Sequence, residues 1–197
     1  MGQAQMAGPK YTVPEYLEME EKSDIRHEYY DGEIFAMAGT TMNHNEIVDN
    51  VRTILKDFFK PFGCRVFAEN VKVEAIENLY YPYPDVIVTC APDDISGRYI
   101  VKQPSVLVEV LSKSSASYDR GFKLRQYKKI DSLIYYMLVS QNEFYVELYS
   151  RTNQPDIWSY QTFDNAEDTI HLEKLDFEIE VSEIYDNIVF IPDEDQI

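Results

Sequence analysis

Ser105-Val-Leu-Val-Glu-Val-Leu111 is a continuous apolar run interrupted by one carboxylate. Seven such residues are too few for a helix of ordinary length. The β-branched content argues for a strand buried on both faces. In a strand, Leu107, Glu109 and Leu111 share one face, and Val106, Val108 and Val110 share the other. An unpaired carboxylate at that depth is costly, so Glu109 needs a basic side chain, a metal ion or backbone donors. A purely structural pairing with Lys or Arg and a functional site are about equally good accounts of Glu109 alone.

Upstream lies a second short apolar run, Asp85-Val-Ile-Val-Thr89, with its one acid at the mouth, directly after Pro84. Proline fixes the approach of the chain and donates no hydrogen bond. By itself Asp85 reads as a strand-end cap. Two acids on neighbouring interior strands can instead converge, and such hard oxygen ligands suit Mg²⁺, or Mn²⁺ in its place. Downstream, Ser114 to Ile130 reads as a helix, with Ser117 as a cap. It carries Lys123, fourteen residues after Glu109, where an ammonium can reach back toward the strand ends. Lys128 and Lys129 lie nearby, and an ordinary exposed helix lysine is the plain alternative.

Further out, Thr12-Val-Pro-Glu15 is a capping box with proline in the first turn, and predicts a helix to about Lys22. Arg26 to Tyr30 and Glu33 to Met37 flank Asp31-Gly32, a two-residue hairpin signal. Asn43 with Glu46 reads as a second cap. It opens a helix whose Ile47, Val48, Val51, Ile54, Leu55, Phe58 and Phe59 fall on one face until Pro61 and Gly63. Val71, Val73 and Ala75 alternate with Lys72 and Glu74 as in a half-buried strand. Leu133 to Val139 and Phe144 to Tyr149 read as strands. Trp158 to Phe163 and Thr169 to Leu172 read as another hairpin, and Val181 to Ile188 as a short closing helix. The expected fold is mixed α/β (α+β): a sheet flanked by helices, with an extra N-terminal hairpin and a β-rich C-terminal extension. Residues 1–10 read as a flexible lead-in, 11–190 as a single domain and 191–197 as an acidic tail.

Eighteen basic against 35 acidic residues give a net charge of −17 over 197 residues. That charge weighs against phosphate binding by the surface as a whole. The distribution is uneven: residues 98–129 hold eight basic and two acidic residues, for +6. Within this island Arg98, Lys113, Arg120 and Arg125 are candidate nucleic-acid contacts, with a solvated helix face as the alternative. The two cysteines, Cys64 and Cys90, lack CxxC or His neighbours. They read as reduced thiols, which places the chain in the cytoplasm. No stretch has the length of an apolar membrane span.

The segments Tyr83-Pro-Asp-Val86, Pro104-Ser-Val-Leu-Val-Glu-Val-Leu-Ser112, Tyr118-Asp-Arg-Gly-Phe-Lys123 and Lys123-Leu-Arg-Gln-Tyr127 resemble the Uma-two family, grouped with restriction endonucleases in the PD-(D/E)XK nuclease superfamily. Tyr11-Thr-Val-Pro-Glu-Tyr16, Glu28-Tyr-Tyr-Asp-Gly-Glu33 and His44 match its pattern too, so the resemblance runs from about Tyr11 to Ile188. It implies a restriction-endonuclease-like fold, a divalent metal and endonuclease chemistry on nucleic acid, DNA foremost. It also implies a homodimer, since nucleases of this fold often pair two sites. The superfamily signature places lysine two residues after the acid; here that position is Leu111, and Lys123 is the substitute. Asp85 and Glu109, with the Val110 carbonyl, are the expected metal ligands. Glu28 and His44 are candidates to join them. Two rivals stand beside this reading: an inactive interaction protein on the same fold, and a metal phosphoesterase acting on small nucleotides.

Overall fold

The computed structural model describes residues 10–37, 39–154 and 156–190. The expected lead-in, apart from Lys10, and the acidic tail lie outside the described residues. In chain order the elements are α1 (Val13–Lys22), β1 (His27–Tyr30), β2 (Glu33–Ala36), α2 (Met42–Phe59), β3 (Arg65–Ala68), β4 (Lys72–Val73), β5 (Tyr80–Tyr81), β6 (Val86–Thr89), α3 (Pro92–Ser96), β7 (Ile100–Val101) and β8 (Pro104–Leu111). There follow α4 (Ala116–Tyr118), a π-helical turn (Asp119–Lys123), α5 (Leu124–Tyr127), β9 (Tyr135–Ser140), β10 (Val146–Arg151), β11 (Trp158–Phe163), β12 (Thr169–Leu172), β13 (Phe177–Glu180) and α6 (Val181–Ile184).

Six strands form the main sheet in the order β11-β10-β9-β8-β6-β3. Only β8 and β9 run parallel in it, because the helical segment 116–127 carries the chain across between them. The other neighbours are antiparallel. The alternation along β8 divides the core as its sequence predicts. Val106, Val108 and Val110 pack on one face with Val86, Val88, Met137 and Val139. There α2 covers them with Ile47, Val48, Val51, Leu55 and Phe59. Each such fully buried aliphatic or aromatic side chain contributes about 1.5–3 kcal/mol. Leu107 and Leu111 face the other way, with Ile87, Tyr127, Tyr136 and Leu138.

Several local expectations are corrected. Thr41, not Asn43, caps α2. Its backbone is extended (φ −83°, ψ 164°), as an N-cap requires, and its hydroxyl accepts the His44 N–H at 3.1 Å. Asn43 lies within the first turn and donates to the Val189 carbonyl. The stretch around Val73 gives a two-residue strand, and Lys72 is buried rather than solvated, because its ammonium donates to the Tyr83 hydroxyl, which in turn donates to Glu20. β11 and β12 do not form a hairpin with each other. β11 pairs with β10 at the sheet edge, whereas β12 pairs with β13. Ile170, Leu172, Phe177 and Ile179 of that last pair join α2 in the same core, so the C-terminal part completes the main body.

The cysteine reading is also overturned. Cys64 and Cys90 are joined in a disulfide. The antiparallel register sets Arg65 opposite Thr89, and one step further sets Cys64 opposite Cys90. Their separation of 26 residues hides in the sequence a contact that strand pairing makes immediate. The argument from free thiols to the cytoplasm falls with it. No helix among the described residues is long and apolar enough to cross a membrane.

Candidate active site

Asp85 enters β6 one step beyond the Val86↔Val108 pair, so the register sets it opposite Glu109 of β8. Both lie toward the Leu107 face, at the end of β8 where the parallel β8–β9 pair has its carboxyl ends. Crevices outside strand carboxyl ends are the usual ligand positions of open sheets that contain parallel strands. Asp85 is fixed twice: Oδ2 accepts the Val110 N–H at 2.7 Å, and Oδ1 lies 3.3 Å from His44 Nε2. His44 is held there because the Thr41 cap sets the first turn of α2. Val110 thus meets the site through its amide, while its side chain faces the opposite core.

Glu109 is almost fully buried at 3% exposure. Its Oε1 lies 2.9 Å from Lys123 Nζ and accepts the Tyr127 hydroxyl at 2.8 Å. Lys123 Nζ also lies 3.3 Å from Asp119 Oδ1 and 3.4 Å from Glu28 Oε1. The π-helical turn sets this geometry. Leu124 N–H bonds back to the Asp119 carbonyl, five residues away, and the widened turn stacks Asp119 and Lys123 beside each other. The ammonium does not hydrogen-bond Asp119 Oδ1, which is buried without a hydrogen-bond partner; the contact is electrostatic.

Around one lysine, then, stand Glu109, Asp119 and Glu28, with Asp85 close enough to act on Glu109. Burial is the largest influence on Glu109 and pushes its carboxyl well above the usual carboxylate range. Asp119, Asp85 and Glu28 add to the rise, and Lys123 opposes it. Burial pulls Lys123 down, yet Glu109, Glu28 and Asp119 outweigh it and hold the ammonium well above the ordinary lysine value. Lys123 therefore stays charged, and its ammonium works against the burial that disfavours charge on Glu109. The Lys123 and Glu109 side chains lie deep, 9% and 4% exposed, and Glu28, His44 and Asp85 are slightly more open, at 13%, 13% and 15%.

The four basic candidates are exposed but dispersed. Arg120 and Arg125 flank Lys123 on the same helical segment, and Arg120 Nε donates to Glu147 Oε1 at 2.5 Å. Lys113 follows the end of β8 nearest Glu109. Arg98 stacks over Tyr99 in the loop at the other end of β6 from Asp85.

The sequence reading overlooked Asp119, Tyr127 and Glu147 as polar partners. Asp119 and Tyr127 each stand four residues from Lys123, so helical spacing could have found them. Glu147, 3% exposed between Val146 and Leu148, carries the same signal as Glu109, an acid inside an apolar strand. Among the described residues no three His, Cys, Asp or Glu side chains already stand as a ready metal cage. A Mg²⁺ site of two carboxylates, completed by water and substrate phosphate, needs no such cage.

Residues 13–182 match the model of the Uma2 family, described as "Putative restriction endonuclease". An uncharacterized protein of Synechocystis sp., slr1290, is 34% identical over 184 residues, 92% of this chain and 95% of that protein. A second from the same organism, sll1609, is 32% identical over 142 residues, 71% and 80% of the two chains. A crystal structure of a putative nuclease belonging to DUF820 from Anabaena variabilis superposes with a TM-score of 0.73 at 17% identity, covering 91% of this chain and 99% of that one. That likeness establishes a shared fold, and the span of the family match together with the identity to slr1290 establishes that this chain belongs to the Uma2 family.

Proposed function

We propose that the chain is a metal-dependent endonuclease that hydrolyses phosphodiester bonds in nucleic acid, DNA foremost, at a site built from Asp85, Glu109 and Lys123. The observation that carries this reading is the meeting of Asp85, opposite Glu109 in the sheet register, with a lysine ammonium 2.9 Å from Glu109. The donor set fits a divalent cation. Hard oxygen ligands stand in excess around a single ammonium: Glu109, Asp119 and Glu28 share Lys123, and Asp119 Oδ1 has no hydrogen-bond partner. Asp85 and Glu109, with the Val110 carbonyl, would hold Mg²⁺ or Mn²⁺, which supplies a water of lowered pKa and polarises the phosphate. Lys123 keeps its proton, orients the attacking water and offsets charge on the phosphorane-like transition state. Tyr127 holds the Glu109 carboxylate in place through its hydroxyl. His44 helps to fix Asp85 through its Oδ1. Arg120, Arg125 and Lys113 would meet the phosphate backbone, and two copies would cut two strands.

The test is cleavage of plasmid DNA, single-stranded DNA, RNA and a nucleotide panel, with and without Mg²⁺, by the wild type, Asp85→Ala and Glu109→Ala. Metal-dependent cutting lost in both variants supports the proposal, and cutting that survives both removes it. A second reading has its own support: Glu109 and Lys123 already form a nearly buried ion pair, as a structural bridge in a non-catalytic interaction protein would. That protein would give no Mg²⁺ heat in calorimetry.

A further inference from the structure

Asp85 arrives through Tyr81-Pro-Tyr-Pro-Asp85, where the two prolines donate no hydrogen bonds. Tyr83, between them, must therefore anchor the approach, and it is 2% exposed. Its hydroxyl donates to Glu20 Oε1 at 2.8 Å and accepts from Lys72 Nζ at 2.8 Å. Its backbone N–H points to Glu28 Oε1 at 3.4 Å, on the same carboxylate oxygen that faces Lys123. Glu20 is 1% exposed and also receives the His27 N–H at 3.0 Å, with His27 Nδ1 3.1 Å from its Oε2. The Lys72 ammonium sits against the rings of Tyr83 and Tyr16, at 5.1 and 5.5 Å. None of these groups closes a strand ladder, and leaving such buried groups unpaired is expensive.

We propose that the Glu20–Tyr83 hydrogen bond, backed by Lys72, is the positioning device for Asp85: it fixes the Pro82–Asp85 approach from outside the site and so sets where the carboxylate stands opposite Glu109. Three backbone contacts complete the clamp. Val73 N–H bonds the Pro82 carbonyl at 2.9 Å, Glu69 N–H bonds the Asp85 carbonyl at 3.1 Å, and Val110 N–H reaches Asp85 Oδ2 at 2.7 Å. Glu20 and Lys72 make no hydrogen bond to Asp85 or Glu109; their link to the Asp85 approach is Tyr83, while Glu20 also holds His27.

The proposal rests on Asp85 as a site carboxylate, but its test needs no activity. The Val110 amide reports directly on where the Asp85 carboxylate is. Amide hydrogen exchange of the metal-free full chain is followed in the wild type, Tyr83→Phe, Glu20→Ala and Glu20→Gln, with Val108 of the same strand as the internal reference. Tyr83→Phe keeps the ring and is expected to speed Val110 exchange about tenfold relative to Val108. Glu20→Gln keeps an acceptor for the Tyr83 hydroxyl and is expected to stay within about twofold of wild type, whereas Glu20→Ala behaves like Tyr83→Phe. Val110 and Val108 rising together, or neither moving, overturns the positioning role and leaves only a stability effect. Should Tyr83→Phe not fold, Glu20→Ala against Glu20→Gln decides alone. If Asp85→Ala retains cutting while the exchange result stands, the nuclease reading fails and the positioning of Asp85 survives it.

Discussion

Glu109 concentrates the tension of the site. Its carboxyl is pushed well above the ordinary value of 4.5 by burial and by three neighbouring acids. A group whose pKa rises on folding contributes stability that is full below its unfolded pKa and lost as pH climbs through the folded value. Glutamine at this position does not titrate. We expect Glu109→Gln to gain stability relative to wild type as pH is raised from about 5 to about 8, since the unfolded pKa lies near 4.3 and the folded one above it. Thermal melts across that window check this, and parallel pH curves for the two proteins would refute it. Lys123→Met should behave oppositely in kind, leaving Glu109 and Asp119 buried without their cation. A loss of about 3–5 kcal/mol in urea unfolding at neutral pH is the expected size.

Among the elements, α2 matters to the site through its first turn rather than its length. Thr41 caps the helix, pairs through its hydroxyl with the Gln141 side chain, and aims His44 at Asp85. Thr41→Ala is expected to cost about 1 kcal/mol in chemical denaturation, and Thr41→Ser to restore most of it. Periodicity made α2, β6 and β8 legible from residue types alone, because Val, Ile and Leu at fixed spacing leave few alternatives. The Asp31-Gly32 turn was equally readable, since both residues adopt positive φ (47° and 87°). The cap was misplaced because Asn43 and Glu46 offer the same spacing as Thr41 and His44, and only backbone dihedrals separate them. The partner of β12 was invisible for a different reason: β11 and β13 are both plausible neighbours by pattern, and sheet geometry outside the local sequence chooses. Of the candidate site, the strand acids and Lys123 were readable as types, whereas Glu20 and Lys72 became visible only when distant segments met at Tyr83.

For the molecule as a whole, two properties follow from architecture and charge. The Cys64–Cys90 bond ties the edge strand β3 to β6 across a separation of 26 residues. In the loop-entropy description a link of that span stabilises by about 3–4 kcal/mol. Reduction with a thiol, or Cys64→Ala with Cys90→Ala, should therefore lower the unfolding free energy by about that amount, measured by denaturant titration. On the proposed nuclease reading, nucleic-acid binding by a chain of net charge −17 must rely on a few local cations. Affinity should fall with salt, and Arg125→Ala should reduce the slope of log K against log salt by about 1, read by fluorescence anisotropy. An unchanged slope would take Arg125 out of the interface.

The widened turn between Asp119 and Lys123 works as a spacer one residue longer than a regular helix would use. Substitutions there alter single contacts. Removing one residue, Gly121 for instance, would instead slip the phase of the chain, carrying Asp119 away around the helix while Tyr127 stays docked on the sheet. At this corner of the fold, the number of residues in the turn sets which side chains can meet, as much as their chemistry does.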